Sequence, residues 1–150
     1  MPKASISKLI ECKKDQLIDL VLDIEKYPEF VPFCLESKVY ERHDRDNQIL
    51  IVADLTIGKG PFKDTYKSDV KLNKDKSIIN VTNIGGPLNH LENKWTFIES
   101  DNGTEILFDI DFEIENKFLN LVMTKSFQYG LNKIADAFQK RAHEMYSNEH

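Results

Sequence analysis

Two hydrophobic periods meet near the end of this chain, and their junction restricts the fold more than any other feature. From Glu105 to Ile114 the alternation is strict. Ile106, Phe108, Ile110, Phe112 and Ile114 share one parity, while Asp109, Asp111 and Glu113 share the other. Successive side chains of a strand point to opposite faces, so this strand has one covered and one wet face, as antiparallel sheets do. From about 116 to 146 the spacing changes to three and four, through Leu119, Met123, Phe127, Leu131, Ile134, Phe138, Ala142 and Met145. That is one long amphipathic helix. Gly130 lies in its middle, where glycine costs about 1 kcal/mol relative to alanine, and it marks a kink or a close approach.

The rest of the chain supplies the sheet. Ala4 to Glu11 alternates and reads as a short strand. Asp15 stands before a helical run containing Ile18, Val21 and Leu22 and is the expected N-cap; Pro28 and Pro32 close that region. Strand-like segments follow at 37–42, 49–57, 65–72, 78–84, 93–98 and 105–114, separated by turn-rich stretches. Asn102-Gly103, between two alternating runs, is the strongest hairpin signal. The order is strand, short helices, six strands, long helix. This is an α+β chain in which a curling antiparallel sheet needs its concave face filled, and the C-terminal helix is the available filler.

At 150 residues the chain suits a single domain spanning 1–150, and 41% hydrophobic with 30% charged residues excludes a disordered chain. The net charge of -5 provides no global attraction to DNA or anionic lipid. Two cysteines, Cys12 and Cys34, without a secretory pattern fit a reducing compartment rather than a disulfide framework. A cytoplasmic location is expected, with no membrane span.

Four segments, YPEFVPFC (27–34), ADLTIG (53–58), GPLNHLENKWTF (86–97) and FDIDFEIENKFLNLVM (108–123), carry a resemblance. In this order they resemble the coenzyme Q-binding START-like proteins of the polyketide cyclase and lipid-transport superfamily, which include the bacterial ribosome association toxins. Many of those proteins have Trp where this chain has Phe33. The resemblance implies a helix-grip (START/Bet v 1-like) fold, a curved antiparallel sheet wrapped around the C-terminal helix. It also implies a cavity for ubiquinone or a similar isoprenoid quinone, a non-catalytic carrier or chaperone role supporting respiration, and no catalytic cofactor. The ligand-lining residues expected from parity, the helix stripe and the resemblance are Val31, Pro32, Phe33, Leu55, Phe62, Tyr66, Trp95, Phe97, Phe108, Ile110, Phe112, Leu119, Val122, Met123 and Phe127. A solid core without ligand is the competing arrangement.

Few residues suggest chemistry. His43, His90, His143 and His150 show no metal-ligand spacing, so no metal site is expected. Asp109 and Asp111 share the wet parity, and Cys34 reads as a small buried residue rather than a nucleophile. Asp54 falls on the outer parity if Ala53 and Leu55 point in. The start of the last helix, KFLNLVM, is apolar on more than one side: Phe118, Leu121 and Val122 spread around the stripe, with Lys117 and Lys125 flanking. That suggests a gate shared with the VPFC loop, contacting the inner-membrane surface peripherally, or packing beneath that loop. The alternatives to quinone binding are a regulator that binds a ribosomal subunit, and a polyketide cyclase or aromatase-like enzyme.

Overall fold

The computed structural model describes residues 3–59, 62–85, 88–114 and 117–146; the side chains at 59, 62, 64, 85, 88–90, 112–114 and 117–128 lie outside the description. Ten elements follow one another: β1 (Lys3–Ile10), α1 (Lys14–Leu22), a 3-10 helix (Ile24–Glu29), β2 (Cys34–Asp44), β3 (Gln48–Lys59), β4 (Phe62–Asn73), β5 (Ile78–Gly85), β6 (Leu88–Ser100), β7 (Gly103–Ile114) and α2 (Lys117–Tyr146). The strands form one antiparallel sheet in the order β1-β7-β6-β5-β4-β3-β2. This is the curved sheet and C-terminal helix of the helix-grip fold.

Helix α1 begins one residue before Asp15, and its N-cap is Lys13, whose backbone N–H donates to Gln16 Oε1 at 3.1 Å. Asp15 sits instead in the first turn, where a carboxylate complements the helix dipole. Pro28 does not end the helical region; it lies inside the 3-10 helix, whose shorter turn tolerates it. That helix also protects the free edge of β2. Ser37 Oγ donates to the Ile24 carbonyl at 2.8 Å, and the Val39 N–H donates to Glu25 Oε2 at 3.3 Å, so this stretch of edge is covered.

Register organises the inner face into rows across the strands. One row runs Ile49, Leu72, Ile79, Trp95, Phe108 and Ile6, and its first five members are buried. The next row runs Ile51, Val70, Val81, Asn93, Ile110 and Ala4. Ile51 and Val70 are buried, but the last four are only half-buried. A third row begins Ala53, Ser68 and Asn83, and Leu91 is joined to Asn83 by a 2.8 Å hydrogen bond from its N–H to Asn83 Oδ1. Beyond it Leu55 faces Tyr66, both half-buried. Burial is therefore nearly complete along the first row, partial from Val81 to Ala4 in the second, and complete again at Ala53, Ser68 and Leu91 in the third. The backbone of α2 lies nearest β1, β7 and α1.

The β6–β7 hairpin forms where Asn102-Gly103 places it, but the glycine acts differently from its part in a type I′ turn. Neither Asp101 nor Asn102 has a positive φ. Gly103 has φ +135°, and a Cβ there would stand 2.2 Å from the Ile10 carbonyl oxygen. Glycine is needed because the end of β1 passes across it. Replacing Gly103 with Ala should destabilise the protein by more than about 1 kcal/mol, read as a lower urea midpoint at unchanged slope.

Candidate functional site

The closed end of the inner face is held by aromatic contacts. Phe138 of α2 meets Phe30, Trp95 and Tyr27 edge-on at centroid distances of 5.1, 5.2 and 5.6 Å, and Trp95 leans on Phe108 at 4.4 Å. Tyr27 donates its hydroxyl to the Val21 carbonyl, and burial raises its pKa far above the ordinary phenol value. The space left here is about 20 Å³, lined by Ile6, Ile10, Ile106, Leu131 and Phe138 among others. It suits at most one water and no lipid. A larger open groove of about 670 Å³ lies outside the core, between the start of α1, the β6–β7 turn and Tyr146. Its lining includes Glu11, Lys13, Lys14, Glu99 and Asp101, the wrong chemistry for an isoprenoid.

The half-buried positions of the inner face differ. Leu55, Val81 and Ile110 are half-buried and pack on the edge of the core. Among them lie two polar groups. Ser68, 1% exposed, has a buried hydroxyl, and Asn93 has a buried Oδ1; neither atom has a hydrogen-bond partner among the described residues. A buried polar atom left unpaired costs about 1–3 kcal/mol, so such atoms usually face water, an ion or a ligand. Tyr66 and Cys34 adjoin this region. Burial lifts the Tyr66 hydroxyl well above its ordinary value, with Cys34 adding to the effect, and burial pushes the Cys34 thiol up to about 11. Cys34 is thus a buried neutral thiol at physiological pH, not an activated nucleophile.

The VPFC loop runs between β3 and α2. The Val31 N–H donates to the Tyr27 carbonyl at 2.8 Å, and the Gly58 N–H donates to the Phe33 carbonyl at 3.0 Å. Phe33 has φ +69°, a left-handed conformation that is costly for an aromatic residue. Its ring reaches α2 at Gly130, with Cε2 3.6 Å from where a Cβ would stand. The glycine therefore marks a close approach. A second tie is Arg141, which donates to Glu29 Oε1 at 2.9 Å while its guanidinium lies 5.0 Å from the Phe30 ring centre.

Of the residues expected to line a cavity, Trp95, Phe97 and Phe108 are buried, and Val31, Pro32, Phe33, Leu55, Tyr66 and Ile110 are half-buried. The side chains of Phe62, Phe112, Leu119, Val122, Met123 and Phe127 lie outside the described residues, as do those of Lys117, Phe118, Leu121 and Lys125. Register alone places Phe112 opposite Leu91. Asp109 is exposed and accepts from Ser5 Oγ, and Asp111 pairs with Lys3 at 3.8 Å; both stand on the outer parity. Asp54 also faces outward, accepting from Tyr40 Oη at 2.6 Å. The described residues contain no cluster of three or more His, Cys, Asp or Glu that could hold a metal ion. Ser68 was missed by sequence reasoning: a serine between Lys67 and Asp69 carries no apolar signal, and only register places it inside.

A curved seven-stranded antiparallel sheet with one long C-terminal helix defines a START-like helix-grip protein. A START superfamily protein from Mycobacterium smegmatis has the same fold, with a TM-score of 0.79 at 16% identity, covering 97% of this chain and 99% of that one. The chain belongs to the polyketide cyclase / dehydrase and lipid transport family, which matches residues 10–139. The ribosome association toxin RatA of Rickettsia prowazekii is 30% identical over 142 residues, 93% of this chain and 94% of the toxin. The mitochondrial coenzyme Q-binding protein COQ10 of Dictyostelium discoideum is 29% identical over 146 residues, 95% of this chain and 70% of that protein. Among the described residues no helix is long and apolar enough to cross a membrane.

Phe138, 3% exposed, joins helix, sheet and 3-10 helix at one point. Phe138→Ala should cost about 3–5 kcal/mol in a denaturant titration. The Arg141 hydrogen bond, with help from Lys26, holds the Glu29 carboxyl below its ordinary value of 4.5. A depressed carboxyl pKa contributes stability that is present above 4.5 and lost as the pH falls through the lower folded value. Wild type should therefore melt slightly above Glu29→Gln at neutral pH, and the gap should close on acidification; a gap independent of pH would show that the tie is not ionic.

Proposed function

We propose that the protein holds ubiquinone or a similar isoprenoid lipid, without transforming it, between the inner face of the sheet and α2. The observation that carries this reading is the stretch of inner face where half-buried Leu55, Val81 and Ile110 lie near two buried polar atoms of Ser68 and Asn93 that have no partner among the described residues. Lipid sites are apolar surfaces with a few placed polar groups. The coenzyme Q-binding name of the Dictyostelium relative supports the same reading.

The mechanism is physical. Each methylene of an isoprenoid chain moved from lipid to water costs about 0.8 kcal/mol, and an apolar cavity removes that cost. Val31, Pro32 and Phe33 form the gate; Leu55, Phe62, Tyr66, Trp95, Phe97, Phe108, Ile110 and Phe112 line the sheet side, and Leu119, Val122, Met123 and Phe127 the helix side. Catalysis fits poorly. The described titratable groups nearest the open rows, Tyr66 and Cys34, are held protonated by burial, and Asp109 and Asp111 face outward. A ribosomal partner is the second reading, favoured by the name of the Rickettsia relative, with the net charge of -5 against it.

Protein purified gently from its own membranes and sprayed natively should carry an isoprenoid quinone, released on denaturation. Lipid-free protein that instead co-sediments with a ribosomal subunit would replace this reading with the second. Changing Leu121 and Val122 together to Asp should weaken sedimentation with anionic vesicles and lower quinone loading while sparing the melting transition, because a carboxylate at a bilayer is expensive to desolvate. Unchanged vesicle binding would remove the membrane contact from the scheme.

A further inference from the structure

The two edges of the sheet are finished differently. β2, one edge, has two register breaks and ends in charged residues, and the 3-10 helix covers it at Ser37 and Val39. β1, the other edge, pairs with β7 without a break from Lys3 to Ile10 and is the last strand of the sheet. In an antiparallel strand the N–H and C=O of one residue point the same way, and successive residues alternate. The Ile10 carbonyl faces Gly103 at the start of β7. The Leu9 carbonyl points away, accepting from the Gln139 side chain of α2 at 3.4 Å. Ser7, Ser5 and Lys3 share the parity of Leu9, so they turn N–H and C=O to the outside of the sheet. α2 reaches this edge at Lys8 and Leu9, through Asp136 and Gln139. The stretch from Lys3 to Ser7 is thus a regular strand with its pairing groups turned outward.

We infer that β1 is a docking edge for a second copy of this chain, which adds its own β1 antiparallel and joins the two sheets into one. The inference does not depend on what the inner face holds. A two-fold axis at Ser5 pairs Ser5 with Ser5 of the partner subunit and Lys3 with Ser7 of the partner subunit, each pair exchanging two hydrogen bonds. The sequence suits this register. Small hydroxyl side chains meet at the axis. On the inner face Ala4 falls opposite Ile6 of the partner subunit at the closer, non-hydrogen-bonded spacing, and both are half-buried apolar residues at the margin of the core. Lys3 is the one charge between 3 and 7; it stands opposite a serine rather than another lysine, and Asp111 of its own chain pairs with it at 3.8 Å. A register two residues further along sets Lys3 against Leu9, whose carbonyl Gln139 already occupies. Beside the strand lies a further contact surface. Lys8, Leu9 and Cys12 meet Asp136, Gln139 and Ala142 in turn, so α2 runs in the same direction as β1. Tyr129, two turns before Asp136 on the same stripe of the helix, therefore lies alongside the open stretch, and it is 63% exposed. An unblunted edge with a large exposed aromatic next to it is a surface that a paired strand would cover.

The test is sedimentation velocity of the full chain. Wild type should show a monomer–dimer equilibrium, with dimer growing between about 10 μM and about 1 mM, as suits a small edge interface. Ser5→Pro removes an outward N–H and leaves the ladder to β7 in place, so it should sediment as a monomer with the wild-type circular dichroism spectrum. Ser5→Ala loses only the hydroxyl bond to Asp109 and should dimerise like wild type. Cross-linking tests the register without a proline. Ser5→Cys should give a disulfide-linked dimer on mild oxidation, while Cys12 and Cys34 stay buried and free. Lys3→Cys should not cross-link, because the antiparallel register sets the two copies of position 3 roughly 13 Å apart. A protein monomeric up to about 1 mM, a dimer that survives Ser5→Pro, or cross-linking faster at position 3 than at position 5 overturns the inference.

Discussion

A curved antiparallel sheet has one apolar face that must be covered, and here the covering converges on Phe138. Its ring meets Tyr27 of the 3-10 helix, Phe30 just after that helix and Trp95 from the sheet, all edge-on. Edge-on pairs contribute about 0.5–1.5 kcal/mol each beyond the area they bury, so one helix residue ties together three parts of the chain distant in sequence. Thr104 adds a polar tie at the same end, donating to the Cys12 carbonyl at 2.9 Å, and Lys8 of β1 pairs with Asp136 of α2 at 2.6 Å.

The loop from Val31 to Cys34 depends on that anchoring. Phe33 keeps an unfavourable backbone conformation because its carbonyl is held by the Gly58 N–H and its ring by α2 at Gly130. Arg141 and Glu29 hold the preceding turn from the same helix, one side chain serving both an ion pair and a stacked ring.

The fold was legible because it is written in periods. The alternation at 105–114 and the three-four spacing after it specified a one-sided strand and a long helix, and β7 and α2 stand where those patterns put them. Boundaries were less legible: every strand from β2 to β6 is longer than its alternating stretch, because ladder hydrogen bonds continue through Lys, Asn and Gly that carry no pattern. The aromatic side of the site was visible in the parity of Trp95 and Phe97. Ser68 was not, since a small polar residue between charges looks solvent-facing until pairing with Ala53 and Asn83 places it inside. Phe33 could be named as a loop residue, but its positive φ arises from contacts with Gly58 and Gly130 that lie 25 and 97 positions away in the numbering.

Unpaired polar atoms on an inner face couple stability to occupancy. On the proposed reading, the empty protein carries the cost of Ser68 and Asn93 unpaired, about 1–3 kcal/mol for each. A ligand that satisfies them removes that cost, and binding at a hundred times Kd adds about 2.7 kcal/mol to the folded state. The two quantities are of similar size and comparable with a large part of a small domain's net stability. An apolar pair in these positions would give a firmer empty protein but a site indifferent to the head group. On the proposed reading, this pair gives up stability in the unloaded state, and in return hydrogen bonds as well as shape set the head group's position on the sheet. Hydrophobic contact can slide along an isoprenoid chain with little change in energy, whereas a hydrogen bond to a buried amide oxygen cannot. Positioning of the head therefore has to come from the few polar atoms, and the apolar rows around them supply the affinity.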